Sequence, residues 1–224
     1  MLEKILTPEN LGYMFKAAGM SIVIAICAVI AGTIIGIIGA LCKISKSKIL
    51  NGIATVYITV IRGTPMLLQI LFFFLGVPSI VRAITGHGFT PNPYVIGIIA
   101  MSINSGAYST ELIRSGINGV DKGQWEAGMA LGMSRSEIMK RLILPQAFKR
   151  IVPPMVSEFI VLIKDSSLIS TIGAIELLKS AQILGARYYN YIIPLLTASV
   201  MYLIMTITIS IFANKLERRL AESD

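Results

Sequence analysis

Between Lys16 and Lys43 the chain runs for 26 positions without a charge. A helix of about 20 apolar residues crosses the hydrocarbon core of a bilayer, so this segment alone is long enough to span one. The pattern recurs. No charge stands between Arg62 and Arg82, from Pro93 to Thr110 ahead of Glu111, or between Arg187 and Lys215. From Val152 to Ile172 the only charges are Glu158, Lys164 and Asp165. Charged residues make up 14% of the chain, against about 25% in a soluble domain, and the mean hydropathy is +0.75. These features predict a single all-α integral membrane domain over residues 1–224 with five transmembrane helices. The second span is expected to borrow apolar residues ahead of Arg62.

Five spans put the termini on opposite sides, and basic residues set which side faces the cytoplasm. With the N-terminus outside and the C-terminus inside, the inner segments hold Lys43, Lys46 and Lys48, then Lys122, Arg135, Lys140, Arg141, Lys149 and Arg150, then Lys215, Arg218 and Arg219. The outer segments hold only Lys4, Lys16, Arg82, Lys179 and Arg187. Arg62, Arg114 and Lys164 lie at or within span ends and do not vote. The net charge of +8 is therefore explained by topology and calls for no nucleic acid. The first apolar run is too long for a cleaved signal peptide and is read as retained. Cys27 and Cys42 are read as packing residues, and the lone His87 supports neither catalysis nor a metal site.

One long segment, about 118–150, is polar and falls on the cytoplasmic side. Asp121 is placed to cap a short helix, with Gln124 three residues on as its capping-box partner. Gly132 suits the left-handed residue that ends such a helix. Ser134 opens a second helix, with Glu137 in the box position. Two capped helices meeting at a glycine form a knob rigid enough to transmit force to something soluble. Pro153 and Pro154 are expected to hinge this loop onto the following span.

Inside the membrane the charges are few and therefore informative. Glu158 and Asp165 are seven residues apart, on nearly the same helical face, and form an acidic stripe that Lys164 does not share. Such a stripe suits the ammonium or guanidinium of a substrate, with Ser157 beside it. Glu111 and Arg114, three apart, are read as a structural ion pair. Gly63 and Pro65 weaken the helix after Arg62, whose guanidinium is expected to snorkel to the headgroups. No phosphate-binding loop of the G-x-x-x-x-G-K-[ST] type is present, so ATP chemistry by that route must come from a partner.

The motifs then converge on a family. Glu126-Ala127-Gly128, Gly132 and Leu144-Pro145 resemble, in register, the Glu-Ala-Ala, Gly, Ile-x-Leu-Pro coupling segment of ABC importer permeases. Gly128 and Leu142 replace an Ala and an Ile. Arg62-Gly63-Thr64-Pro65, followed by Leu67 and Gln69, resembles the R-G-T-P-x-L-x-Q signature of polar amino acid permeases. Ala107-Tyr108 with Glu111, Arg114 and Gly116-Ile117 is similar to a second run of the same family. Ser157-Glu158-Phe159-Ile160 and Lys164-Asp165-Ser166-Ser167-Leu168 match a third, with Ser157 and Ser166 as departures. The resemblance implies the type I importer permease fold and a non-enzymatic subunit, with no cofactor of its own. On that resemblance ATP and Mg are bound by two ABC ATPase subunits that grip the coupling loops at Glu126, Ala127, Gly128, Gly132, Leu144 and Pro145. It also implies a second permease copy or a paralogue, an extracytoplasmic solute-binding protein, and a place in the bacterial cytoplasmic (inner) membrane. Arg62, Pro65, Glu111 and Arg114 are then structural or gating residues, and the cargo is a polar or basic amino acid.

Two other readings use the same residues. An ion-driven carrier would work through Glu158 and Asp165, but the chain is short and shows no inverted repeat. A membrane scaffold would leave the register of the coupling segment unexplained.

Overall fold

Thr7 starts the first long helix. Its Oγ1 accepts from the Asn10 amide at 3.3 Å and Pro8 occupies the first turn, where a proline's missing N–H costs nothing. In the computed structural model, which describes residues 2–221, this helix, α1, runs Pro8–Ile44 after a single turn at Leu2–Ile5. Helix α2, Lys48–Arg62, follows a Ser47 cap, and α3 covers Met66–Thr85 with a π-helical turn at Phe72–Gly76. Helix α4 is Pro93–Asn118, capped by Asn92, and α5 is Lys122–Ala130. A turn at Arg135–Ile138, α6, passes through a π-helical segment, Met139–Ile143, into α7, Leu144–Asp165. A 3₁₀ segment, Ser166–Ile172, precedes α8, Leu177–Arg187, and α9, Ile192–Ala221. Among the described residues every regular element is helical.

Small residues build the central seam. Ala28, Gly32, Gly36 and Ala40 recur every four residues on one buried face of α1, a spacing that stacks them along a helix. A Cβ on Gly32 would lie 2.8 Å from Ser105 Cβ, and one on Gly36 would collide with Ser109. In return, a Cβ on Gly106 would lie 2.6 Å from Ile35 Cγ2. The α1 and α4 backbones therefore approach as close as small side chains permit, the mode by which helices associate in lipid. The large side chains Ile30, Ile34 and Ile38 of α1 and Leu203, Ile207 and Ile211 of α9 are exposed instead. With small groups inside and large apolar groups outside, the surface suits hydrocarbon and not water.

The main core gathers Ile24, Ala25 and Ala28 of α1, Ile70 of α3, Met101 of α4, and Leu162 and Ile163 of α7. A second core joins α1, α8 and α9 through Met14, Leu177, Leu184 and Met201. Among the described residues three helices, α1, α3 and α9, are long and apolar enough to cross a membrane by length and composition. Helix α4 carries the largest share of the buried polar groups, Ser102, Asn104, Ser105, Ser109 and Thr110.

Two expectations need correction. The apolar residues before Arg62 do not extend the second span. They form the separate helix α2, because the chain breaks at Gly63–Pro65, where the proline carries no N–H to continue the ladder. Nor do Pro153 and Pro154 interrupt their helix: both lie inside α7, which is helical on either side. The polar loop thus runs into the interior as continuous helix from Arg135 to Asp165.

Candidate functional site

A cavity of about 330 Å³ opens where α3, α4 and α7 meet. The broken helix end supplies Thr64, Pro65 and Met66, α4 supplies Asn104 and Tyr108, and α7 supplies Glu158, Val161 and Asp165. The seven-residue spacing brings both acids to this one wall, while Lys164 is exposed elsewhere. Ser157 is exposed and lies outside the lining. Ser105 of α4 lies beside the Glu158 carboxylate. At the rim, the Arg62 guanidinium sits 5.0 Å from the Tyr108 ring centroid, a cation–π distance. The cavity thus offers two carboxylates and an aromatic edge, and no cationic side chain lines it.

Gln69, the last residue of the Arg62–Gln69 motif, fixes the break. Its Nε2 donates to the Ile61 carbonyl at 2.8 Å, the Thr64 carbonyl at 3.2 Å and Thr64 Oγ1 at 2.9 Å. It thereby replaces hydrogen bonds that Pro65 takes away. Glu111 and Arg114 meet, Arg114 Nη2 donating to Glu111 Oε2 at 2.7 Å and Nε donating at 3.0 Å. Neither lines the cavity.

The polar loop carries its own small core, in which Val120, Ile138, Ile143 and Ala147 are buried against Trp125, Met133 and Leu142. Asp121 caps α5 by accepting from the Gly123 amide at 2.6 Å. The expected box with Gln124 does not form. Gln124 Oε1 instead accepts from Gln146 Nε2 at 3.2 Å, which ties α5 to α7. Gly132 has φ +73°, and the amides of Gly132 and Met133 donate to the carbonyls of Met129 and Gly128, a Schellman ending. Ser134 and Glu137 form the complete box at 2.9 and 3.3 Å. The amide and hydroxyl of Ser134 hold the Glu137 carboxyl below the usual carboxylate range.

Gly128 is buried, and a Cβ there would lie 2.7 Å from Ile138 Cγ1, so glycine lets α6 seat closely where the family pattern has alanine. Around this pivot Glu126, Ala127, Met129, Leu131 and Gly132 are exposed, Leu131 by 79%. Leu144 and Pro145 are exposed as well. The knob thus turns Met129 and Leu131 outward.

Sequence reasoning did not single out Asn104, Thr64 or the internal role of Gln69. It also missed Glu176, which is fully buried and caps α8, accepting from the Leu178 and Lys179 amides at 2.9 and 2.7 Å. Among the described residues no group of three or more His, Cys, Asp or Glu is placed to hold a metal ion.

Comparison with known proteins follows the same lines. The family model described as "Binding-protein-dependent transport system inner membrane component" matches residues 32–222. The arginine transport system permease protein ArtQ of Bacillus subtilis (strain 168) is 37% identical over 218 residues, covering 97% of each chain. The putative glutamine transport system permease protein GlnP of Rickettsia bellii (strain RML369-C) is 43% identical over 199 residues, 89% of this chain and 88% of the relative. A crystal structure of an amino acid ABC transporter with histidines superposes with a TM-score of 0.88 at 36% identity, covering 94% of this chain and 95% of the other.

Proposed function

This chain belongs to the family of binding-protein-dependent transport system inner membrane components, and we propose that Glu158, with Asp165, receives the cationic group of its cargo. The chain is a permease of an amino acid ABC transport system, and ATP hydrolysis belongs to separate subunits. The observation that carries the site assignment is the cavity itself. Two carboxylates on one helical face share a wall that supplies no cation, and in a membrane such groups face a pathway or a partner. An amino acid brings an ammonium, and a basic one brings a second cation, so polar or basic amino acids fit. The test is Glu158→Gln, assayed for uptake of arginine and glutamine by the reconstituted complex. A hydrogen bond to a charged group contributes about 1.5–3 kcal/mol, so arginine uptake should fall roughly ten- to a hundredfold with assembly intact. Unchanged uptake of every substrate would sink the assignment.

The remaining architecture follows from this role. The chain crosses the bacterial inner membrane five times, N-terminus outside and C-terminus inside, with the 118–150 loop in the cytoplasm. The loop's apolar knob, Ala127 to Leu131, docks on one of two ATPase subunits, which bind ATP and Mg. A second permease, identical or paralogous, completes the pathway, and an extracytoplasmic binding protein delivers the substrate. Closure of the ATPase pair moves the α6–α7 rod as a unit, and that motion reaches Glu158 through unbroken helix. A cysteine introduced by Ser134→Cys should react with impermeant reagents only from the cytoplasmic side. Labelling from outside would invert the orientation.

A further inference from the structure

Gln69 and Asn104 are both nearly sealed, 7% and 5% exposed. A primary amide has a donor end and an acceptor end, and at Gln69 the surroundings leave no choice between them. Two of the groups facing its nitrogen are the carbonyls of Ile61 and Thr64, which can only accept, so the amide cannot be turned end for end. Its Oε1 is thereby aimed at α4, where Asn104 Nδ2 donates to it at 3.0 Å. That bond fixes Asn104 in turn. Its nitrogen is committed to Gln69, leaving Oδ1 at the other end of the amide.

Among the described residues nothing donates to Asn104 Oδ1, and the buried unpartnered side-chain oxygens are those of Ser105 and Ser109. The free oxygen therefore opens on the space whose wall Asn104 shares with Glu158 and Asp165. We propose that Gln69 is a specificity-setting positioning residue: by holding Asn104 with its oxygen toward the cavity, it adds a third acceptor beside the two acids. The proposal rests on the reading of this cavity as the substrate site. A wall in which three acceptors face the Tyr108 and Thr64 hydroxyls and no cation matches a guanidinium, which has five N–H donors in a plane and no acceptor. It opposes a neutral side-chain amide, whose carbonyl oxygen would face an oxygen. A freely turning Asn104 would offer either end and lose that discrimination.

The test uses the purified permease–ATPase complex in proteoliposomes, with arginine and glutamine as probes. It reads KM and kcat of substrate-stimulated ATP hydrolysis. Asn104→Leu should raise KM for arginine about tenfold relative to glutamine, with kcat little changed. Gln69→Met should shift the same ratio several-fold, and Gln69→Met with Asn104→Leu should shift it no further than Asn104→Leu alone, because Gln69 acts on selectivity through Asn104. Gln69→Glu, protonated in this setting, keeps a carbonyl oxygen for Asn104 and one donor for the broken helix end, and should preserve the ratio.

An unchanged ratio in Asn104→Leu overturns the proposal, as do additive shifts in the double variant. So does a Gln69→Met variant that loses kcat equally for both substrates at a constant ratio, since Gln69 would then only secure the helix break. If Gln69→Met fails to assemble, Asn104→Leu and Gln69→Glu decide: a shift in the first and none in the second supports the proposal, and any other result overturns it. Glu158→Gln separates the two levels. If it impairs arginine while Asn104→Leu does not, only the role of Gln69 falls. If neither impairs arginine, the cavity assignment falls with it.

Discussion

Two glutamates lie in the apolar body of this protein, and their surroundings differ completely. Glu176, with no exposed surface, stands at the N-terminus of α8, where the first amides of a helix have no internal partners. It accepts from Leu178 and Lys179, from the Tyr202 hydroxyl at 2.7 Å and from Ser21 Oγ at 3.4 Å. Two donor side chains, from α1 and α9, join the two backbone amides of α8, so the carboxylate binds the three helices together. Glu158 stands in the middle of α7, where the backbone amides are already spent on the helix. Its neighbours are Ser105, Asp165 and a cavity. The fold supplies Glu176 with four donors and sets only the Ser105 hydroxyl beside Glu158. Burial of a carboxylate therefore does not by itself mark a binding site. The marker is a carboxylate short of donors, next to open space.

Removing the satisfied acid should have the largest effect on stability. Glu176→Ala strips a helix cap and leaves two amides and a tyrosine hydroxyl unpaired in an apolar setting, a loss of about 3 kcal/mol or more. The purified complex should melt well below wild type or fail to assemble, and Glu176→Gln, which keeps an acceptor oxygen, should recover part of the loss. Wild-type melting of Glu176→Ala would erase the contrast between the two glutamates.

The second effect belongs to the loop, where structure and function separate again. Gly132 is exposed, holds φ +73° and has open space where a Cβ would go. Gly132→Val therefore meets no collision, only the left-handed backbone, roughly 1–2 kcal/mol for a residue with a Cβ. The complex should insert and assemble, while transport falls and ATP hydrolysis uncouples from substrate. Normal transport at normal expression would deny the loop its role in energy transfer. The third effect is smaller still on stability. Glu158→Leu removes an acid the fold does not satisfy, so melting should stay within about 1 kcal/mol of wild type or rise even as arginine uptake is lost. A collapse like that of Glu176→Ala would make Glu158 a structural acid.

The contrast also explains what was legible in the sequence. The long apolar helices α1, α3 and α9 could be read because an uncharged run is a one-dimensional signal, and so could the acidic stripe of Glu158 and Asp165, because a seven-residue spacing maps directly onto a helical face. Gly132 and the Ser134–Glu137 box were legible for the same reason: every partner lies within a few residues. Glu176 was not, since its donors Ser21 and Tyr202 lie 155 and 26 residues away and its cap has no box partner. Asn104 was hidden too. Its role depends on Gln69, 35 residues earlier, and its neighbours Ser102 and Ser105 read as ordinary small residues of a packed helix. The Gln124 box failed because Gln146, 22 residues later, offered a better partner. Local chemistry was readable, and chemistry assembled between helices was not.

Glu137 supplies the smallest and most discriminating comparison, because it is also a glutamate at a helix N-terminus but sits in water. It closes the Ser134 box as Glu176 closes the start of α8, accepting from the Ser134 amide at 2.9 Å and hydroxyl at 2.8 Å. Those bonds lower its pKa in the folded chain. A carboxyl lowered on folding adds stability that is present above its unfolded value and is lost as pH falls through its folded value. The box should therefore hold at neutral pH and loosen only below the ordinary glutamate range, near 4.5. Hydrogen exchange of the α6 amides should show it. The logarithm of the rate, corrected for intrinsic pH dependence, should rise slightly on acidification in wild type. In Glu137→Gln it should already be raised at pH 7 and show no further change. Because water replaces the lost partners, the global melting temperature should barely move, unlike that of Glu176→Ala. A large drop in Glu137→Gln would mean that the capping geometry alone, and not its burial, sets the strength of these glutamates. An unchanged exchange rate at pH 7 would remove the box from the account of the loop's rigidity.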